Sequence, residues 1–129
     1  MTTDVPMSTT ATSTPAALMQ TFAAHVHARD LDALMGLYEP DAVFMPEPGV
    51  VLSAPAEIRA ALGAMLSLEP TMVVNPGQVL VAGDVALVQN DWSMTGTAPD
   101  GTAVTQGGRS ADVVRLGPDG TWRVLIDRP

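Results

Sequence analysis

The chain contains no cysteine, only six lysines and arginines, two Phe, two Trp and one Tyr, and no apolar run long enough to cross a membrane. Without cysteine there is no disulfide, no thiolate nucleophile and no soft metal ligand, which fits a reducing, cytoplasmic setting. Six cations against fourteen Asp and Glu leave a net charge of −8. A nucleic acid or an anionic bilayer needs clustered positive charge, so neither is expected as a partner. Two histidines, His25 and His27, lie two residues apart on a helical stretch and point to different sides, and there is no third. No metal site is expected from them. The chain also lacks a Gly-x-Ser-x-Gly elbow and a glycine-rich phosphate loop opening a helix. Nucleophilic and nucleotide chemistry therefore have no support, and no cofactor is expected.

What remains is a 47% hydrophobic chain of 129 residues with eight methionines. That length buries a substantial core, and adaptable aliphatic side chains fill it in place of aromatic ones. Residues 1–14 are rich in Thr and Ser with no apolar face, and read as a disordered tail ahead of a single domain over 15–129. Thr14-Pro15 opens a helix with Leu18, Phe22 and Val26 on one stripe; Asp30 caps a short second helix that Tyr38 closes; Ala54-Pro55 opens a third. Residues 42–45 and 50–52 read as short strands, and strands at about 71–82, 84–97, 102–116 and 121–127 follow. Helices first and an antiparallel meander second predict an α+β fold, a curved sheet wrapped around three N-terminal helices.

Two turns fix more than a strand count. Ala98-Pro99-Asp100-Gly101-Thr102 and Gly117-Pro118-Asp119-Gly120-Thr121 share one plan, a type I turn with glycine at the left-handed bulge position. Counting outward sets Asp91 opposite Arg109, Trp92 opposite Gly108, Ala111 opposite Asp127, Val114 opposite Val124 and Leu116 opposite Trp122. Alternation then gives one face Ala86, Val88, Asn90, Trp92, Met94, Asp112, Val114, Val124 and Ile126. Val85, Leu87, Gln89, Asp91, Arg109, Val113, Leu125 and Asp127 fall on the other. A bulge at Gly107-Gly108 would exchange the faces for part of the third long strand.

With these elements in order, the chain resembles a known family. "ARDLDALMGLYEPDAVFMPEPG", "VLSAPAEIRAAL", "GDVALVQNDWSMTGTAPDG", "GGRSADVVR" and "DGTWRVLIDRP" are similar to successive elements of the nuclear transport factor 2-like superfamily, which includes ketosteroid isomerases and SnoaL-like cyclases. The resemblance covers about residues 15–129. It implies a cone-shaped mixed sheet around three helices, a pocket inside the cone and homodimers. Aligned through Asp30-Leu31-Asp32 and Asp41-Ala42, the ketosteroid isomerase base falls at Pro46 and the oxyanion-hole tyrosine at Phe22. Proline accepts no proton and phenylalanine donates no hydrogen bond, so isomerase chemistry by that route is not expected.

Two constellations remain. Asp91, Arg109 and Asp127 share a face in this register; an arginine between two carboxylates can orient a polar ligand group, or can make a structural ion-pair network. Asn90, Trp92 and Asp112 share the apolar face, where a few polar groups among hydrophobes suit a small-molecule pocket. Across the two constellations, Asp112, Asp91 and Asp127 are the candidate acids and bases. The alternative is a core tryptophan whose ring nitrogen pairs with Asp112 or Asn90. His25 and Tyr38 are further candidates for ligand contact. The reading is a hydrophobic small-molecule site with acid–base catalysis; the alternative is a non-catalytic binding or dimerisation module.

Overall fold

The computed structural model describes residues 12–129. Helix α1 (Pro15–Ala28) is capped by Thr14, whose side chain accepts from Ala17 N, and carries proline in its first turn. Helix α2 (Leu31–Met35) is capped the same way by Asp30. Strands β1 (Tyr38–Glu47) and β2 (Val50–Leu52) follow. Helix α3 (Pro55–Leu66) comes next, the Glu57 carboxylate accepting from Ala54 N at 3.2 Å. The rest is β3 (Thr71–Ala82), β4 (Val85–Thr97), β5 (Ala103–Leu116) and β6 (Trp122–Asp127). The sheet order is β2-β1-β6-β5-β4-β3, with β1 parallel to β6 and the other pairs antiparallel.

This is the expected α+β cone, an unclosed curved sheet folded over three helices. Leu18, Val26 and Leu34 from the helices and Val88 and Val114 from the sheet are fully buried between the two layers. Phe22, on the same stripe as Leu18 and Val26, is only partly buried. Its ring stands edge-on to Tyr38 with centroids 6.3 Å apart. The expected tail at 1–14 lies outside the described residues up to position 11. Thr12 is buried, and its carbonyl accepts from Trp122 N at 2.9 Å.

Both Pro-Asp-Gly loops have the anticipated geometry. Gly101 and Gly120 have φ of +88° and +79°, where a side chain is strained, and Asp100 and Asp119 accept from the N–H of Thr102 and Thr121. The β4–β5 register is the counted one, with Asp91 opposite Arg109 and Trp92 opposite Gly108.

Four expectations need correction. Tyr38 does not close a helix; it begins β1, which is ten residues long and takes in Pro40. There is no bulge at Gly107-Gly108, because the β4–β5 ladder runs through them unbroken. The glycines instead let the strands curve closely, since a Cβ on Gly107 would lie 2.9 Å from the Trp92 carbonyl oxygen. The bulge is on β6. Val114 faces Val124 but Val113 faces Ile126, so Leu125 is the extra residue. Beyond Leu125 the alternation inverts: Ile126 is turned to the outside, 41% exposed, and Asp127 is turned inward. Ala111 accordingly does not face Asp127, and its N–H instead donates to Arg128 O at 2.9 Å.

Replacing Gly107 by alanine should force β5 away from the Trp92 carbonyl and cost about 1–3 kcal/mol in urea unfolding. Unchanged stability in that variant would show that the strands have room to separate.

Candidate functional site

A cavity of about 270 Å³ opens between α1, α3 and the concave face of the sheet. Its walls are apolar: Met19 and Phe22 from α1, Leu62 and Met65 from α3, and Met72, Phe44, Met94 and Val124 from the strands. Phe22 and Pro46, the two positions at which the resemblance leaves isomerase roles vacant, both line it. That part of the wall supplies neither a base nor a hydroxyl.

The polar groups of the cavity are concentrated on β4, β5 and β6, where Asn90, Ser110, Asp112 and Asp127 meet. The first three follow from alternation along a ladder in which Asn90 faces Ser110 and Val88 faces Asp112. Asp127 joins them only because the Leu125 bulge turns it inward. Asp112 Oδ2 accepts from Asn90 Nδ2 at 3.1 Å and Ser110 Oγ at 3.2 Å, and Oδ1 accepts from Arg128 N at 3.1 Å. The Tyr38 hydroxyl donates to Asp127 Oδ2 at 2.5 Å. Asp127 lies beside Asp112 in the cavity lining, close enough for its charge to act on the Asp112 carboxyl.

Burial sets their protonation. Asp112 is pushed up to about 8, first by removal from water and then by the negative charge of Asp127 beside it. Asp127 is also raised by burial, with the hydrogen bonds from Tyr38 and Asp112 pulling the other way. Tyr38 is held well above its ordinary value by burial and by Asp127, so it remains a donor. At neutral pH the Asp112 carboxyl keeps its proton, and the Asp127 carboxyl beside it is shifted in the same direction by burial. Two carboxyls thus stand side by side on an apolar wall.

The candidates named from the sequence separate into two groups. Asn90, Trp92, Asp112 and Asp127 line the cavity, and Tyr38 reaches it through Asp127. Asp91 and Arg109 do not. They form an ion pair at 3.2 Å with side chains 66% and 70% exposed, on the opposite face of the sheet from Asp127. The expected trio is therefore broken by the β6 bulge, and the exposed pair is the structural alternative. His25 is not among the described lining residues. Its neighbour His27 has a structural contact, accepting from Met72 N at 3.0 Å. Ser110 was missed by the sequence reading, although its place two residues before Asp112 on one strand face could have revealed it.

Trp92 is not tied to Asp112 or Asn90. Its indole Nε1 is buried and has no hydrogen-bond partner among the described residues, and neither has Asn90 Oδ1. A Cβ on the facing residue, Gly108, would lie 3.8 Å from that nitrogen. Asn90 is only 2% exposed, and its amide nitrogen is used three times, by Asp112, Ser110 and Met19 Sδ.

Comparison with known proteins places the fold. A family model for the SnoaL-like domain matches residues 19–125. Among solved structures, a candidate aromatic ring hydroxylase from Novosphingobium aromaticivorans shares 24% identity at a TM-score of 0.78, covering 96% of this chain and 89% of that one. A candidate dehydratase of the nuclear transport factor 2-like family from Streptomyces avermitilis shares 19% at a TM-score of 0.73, covering 95% of each. A nuclear transport factor 2-like protein from Salmonella enterica shares 19% at 0.76, covering 88% of this chain and 84% of that one. At these identities the likeness concerns the fold. No curated protein matches.

The raised carboxyl has a measurable consequence. The folded state holds a proton on Asp112 that the unfolded chain has released above about pH 4, so stability falls as pH rises from that value toward about 8. The Asp112→Asn variant keeps the donor without the ionisation. It should remove a pH-dependent loss on the order of a few kcal/mol between pH 5 and pH 8.5, measured by urea unfolding. Parallel pH profiles for the two proteins would contradict the assignment.

Proposed function

The chain belongs to the SnoaL-like domain family, and we propose that its cavity binds a hydrophobic small molecule on which the Asp112–Asp127 pair performs acid–base chemistry. What supports this reading is the pair of neighbouring carboxyls, Asp112 and Asp127, set into an apolar wall where burial shifts both toward the protonated form. In this scheme the Asp127 carboxylate removes a proton from a carbon next to a carbonyl. The neutral Asp112 carboxyl donates to the carbonyl oxygen as negative charge develops there. Ser110 and Asn90 hold Asp112 in place, and the Tyr38 hydroxyl steadies Asp127. Isomerisation, cyclisation and related eliminations all use this step. The scheme uses neither Phe22 nor Pro46, so it does not depend on the vacant isomerase positions.

A second reading, a binding module without turnover, is favoured by those same two positions. A matched assay separates the two readings. Exchange of the α-protons of 2-tetralone in D2O should be accelerated by the wild-type protein. Asp112→Asn and Asp127→Asn should lower the acceleration by about 10²–10⁴, the usual worth of a positioned acid or base. Asp91→Asn, on the outer face, should leave the rate unchanged. Binding of 2-tetralone with no exchange would establish the binding module instead.

We also propose that two copies pair through the convex side of the sheet. Leu80, Leu87, Val113 and Ile126 face one another in a continuous row across β3, β4, β5 and β6. Leu80 and Leu87 are 53% and 38% exposed. A row of apolar side chains in the open is a surface that association would cover. Leu87→Glu should convert a dimer to a monomer in sedimentation equilibrium. A wild-type monomer, or a variant that stays dimeric, would dismiss this face as the interface.

A further inference from the structure

Among its described lining residues the cavity has two carboxyls and no cation. The chain has no lysine, and all six of its arginines are placed elsewhere. Arg59 pairs with Asp32, Arg109 with Asp91, Arg115 with Glu39 and Asp41, and Arg123 with Asp119. Arg29 and Arg128 are exposed, and neither lines the cavity. His27 is taken up by Met72 N, and His25 is not a described lining residue. Residues 1–11 contain no lysine, arginine or histidine. A full positive charge facing Asp112 and Asp127 therefore has to be brought by whatever fills the cavity.

The rest of the wall suits an organic cation. Asp127 is the more open of the two carboxyls, half-buried where Asp112 is 6% exposed. Tyr38 donates to its Oδ2, and Oδ1 is left to an occupant. Phe22, Phe44 and Trp92 line the same cavity, and an aromatic face attracts an ammonium group within about 6 Å. A metal ion is less well served, since no group of three His, Cys, Asp or Glu able to hold one occurs among the described residues. A cavity of about 150 Å³ takes one benzene ring, so about 270 Å³ has room for a bicyclic body against the methionines. The net charge of −8 favours the approach of a cation and opposes that of an anion.

We infer that the cavity binds a hydrophobic amine in its protonated form, with the ammonium group against Asp127 and Asp112 and a one- or two-ring body against the apolar wall. The inference rests on the cavity being the ligand site proposed above, and not on turnover there. Binding has a proton balance. At neutral pH Asp112 is protonated, raised to about 8 by burial and by Asp127. An ammonium group beside the pair favours the carboxylate, so the Asp112 O–H bond breaks and its proton leaves to solvent as the amine enters. The other groups against the pair do not titrate in this range. Tyr38 from β1 is held well above its ordinary value, Asn90 and Ser110 do not ionise, and α3 contributes Ala61, Leu62 and Met65. Affinity for the amine therefore rises as pH rises toward 8. With both carboxyls ionised, the acid of the proposed scheme is withdrawn, so an amine blocks that chemistry as a competing ligand.

The test titrates three probes of one shape into the protein by calorimetry at neutral pH: 2-aminotetralin, 2-hydroxytetralin and tetralin-2-carboxylate. Added salt suppresses attraction by overall charge alone. The amine should bind at least about tenfold more tightly than the alcohol, the scale of a hydrogen bond to a charged group, and the carboxylate should bind most weakly. Titrations in phosphate and in Tris, whose ionisation heats differ, should show about one proton released per amine and none per alcohol. Asp112→Asn and Asp127→Asn together should bring the ratio of amine to alcohol affinity close to unity, with circular dichroism reporting the fold. Asp91→Asn, on the outer face, should keep the wild-type ratio. Equal binding of amine and alcohol overturns the inference, as does tightest binding by the carboxylate, amine binding without proton release, or a preference that survives in the folded paired variant. If the paired variant does not fold, the probe series on the wild-type protein decides. The acid–base reading is followed separately through exchange of 2-tetralone: exchange without an amine preference leaves that reading standing and removes this one. If neither the probes nor 2-tetralone bind, the cavity reading fails and this inference fails with it.

Discussion

The site depends on one extra residue in one strand. Leu125 has no counterpart on β5, and without that bulge Asp127 would project from the convex face beside Asp91 and Arg109. With it, Asp127 turns inward and meets Asp112. Two carboxyls so close in an apolar wall cannot both ionise cheaply, so burial and the charge of Asp127 favour the protonated form of Asp112. In the proposed scheme the two supply an acid and a base at one place. Tyr38 completes the arrangement from β1, the strand that pairs parallel with β6, and its ring is held by Phe22 of α1.

The surrounding scaffold makes that proton arrangement possible and bears its energetic cost. Burying a carboxyl is unfavourable unless it is hydrogen-bonded, and Asp112 has three donors among its neighbours, Asn90, Ser110 and the backbone of Arg128. The fully buried Leu18, Val26, Val88 and Val114 supply the packing that offsets it. The concave face is thus specialised for polar work within an apolar shell. The convex face carries ion pairs, such as Arg115 with Glu39 and Asp41, beside a row of aliphatic side chains.

Much of this was legible in the sequence, for identifiable reasons. The Pro-Asp-Gly turns fix hairpin geometry locally, so counting outward from them located Asp91 opposite Arg109 and put Asn90, Trp92 and Asp112 on one apolar face. Thr14 and Asp30 announced two helix starts because a cap is a local interaction. Asp127 was misplaced because nothing in "VLID" announces a bulge; the extra residue is selected by the pairing of β6 with β5 and β1 together. Gly107-Gly108 was a misleading signal, since glycine serves close strand approach as readily as a bulge. Tyr38 was read as the end of a helix because an aromatic after an amphipathic turn looks the same whether it closes a helix or opens a strand. That Trp92 Nε1 has no partner among the described residues could not be read at all, because an orphaned donor is a property of three-dimensional surroundings.

The central claim is that Asp112 and Asp127 act on each other as one buried carboxyl pair. Carbon-13 NMR of the two side-chain carboxyl carbons across pH 3 to 10 tests it directly. The account predicts that both carbons report the same two linked steps, and that the Asp112 signal completes its change only near pH 8. Two independent transitions near the ordinary carboxylate value of about 4 would contradict it.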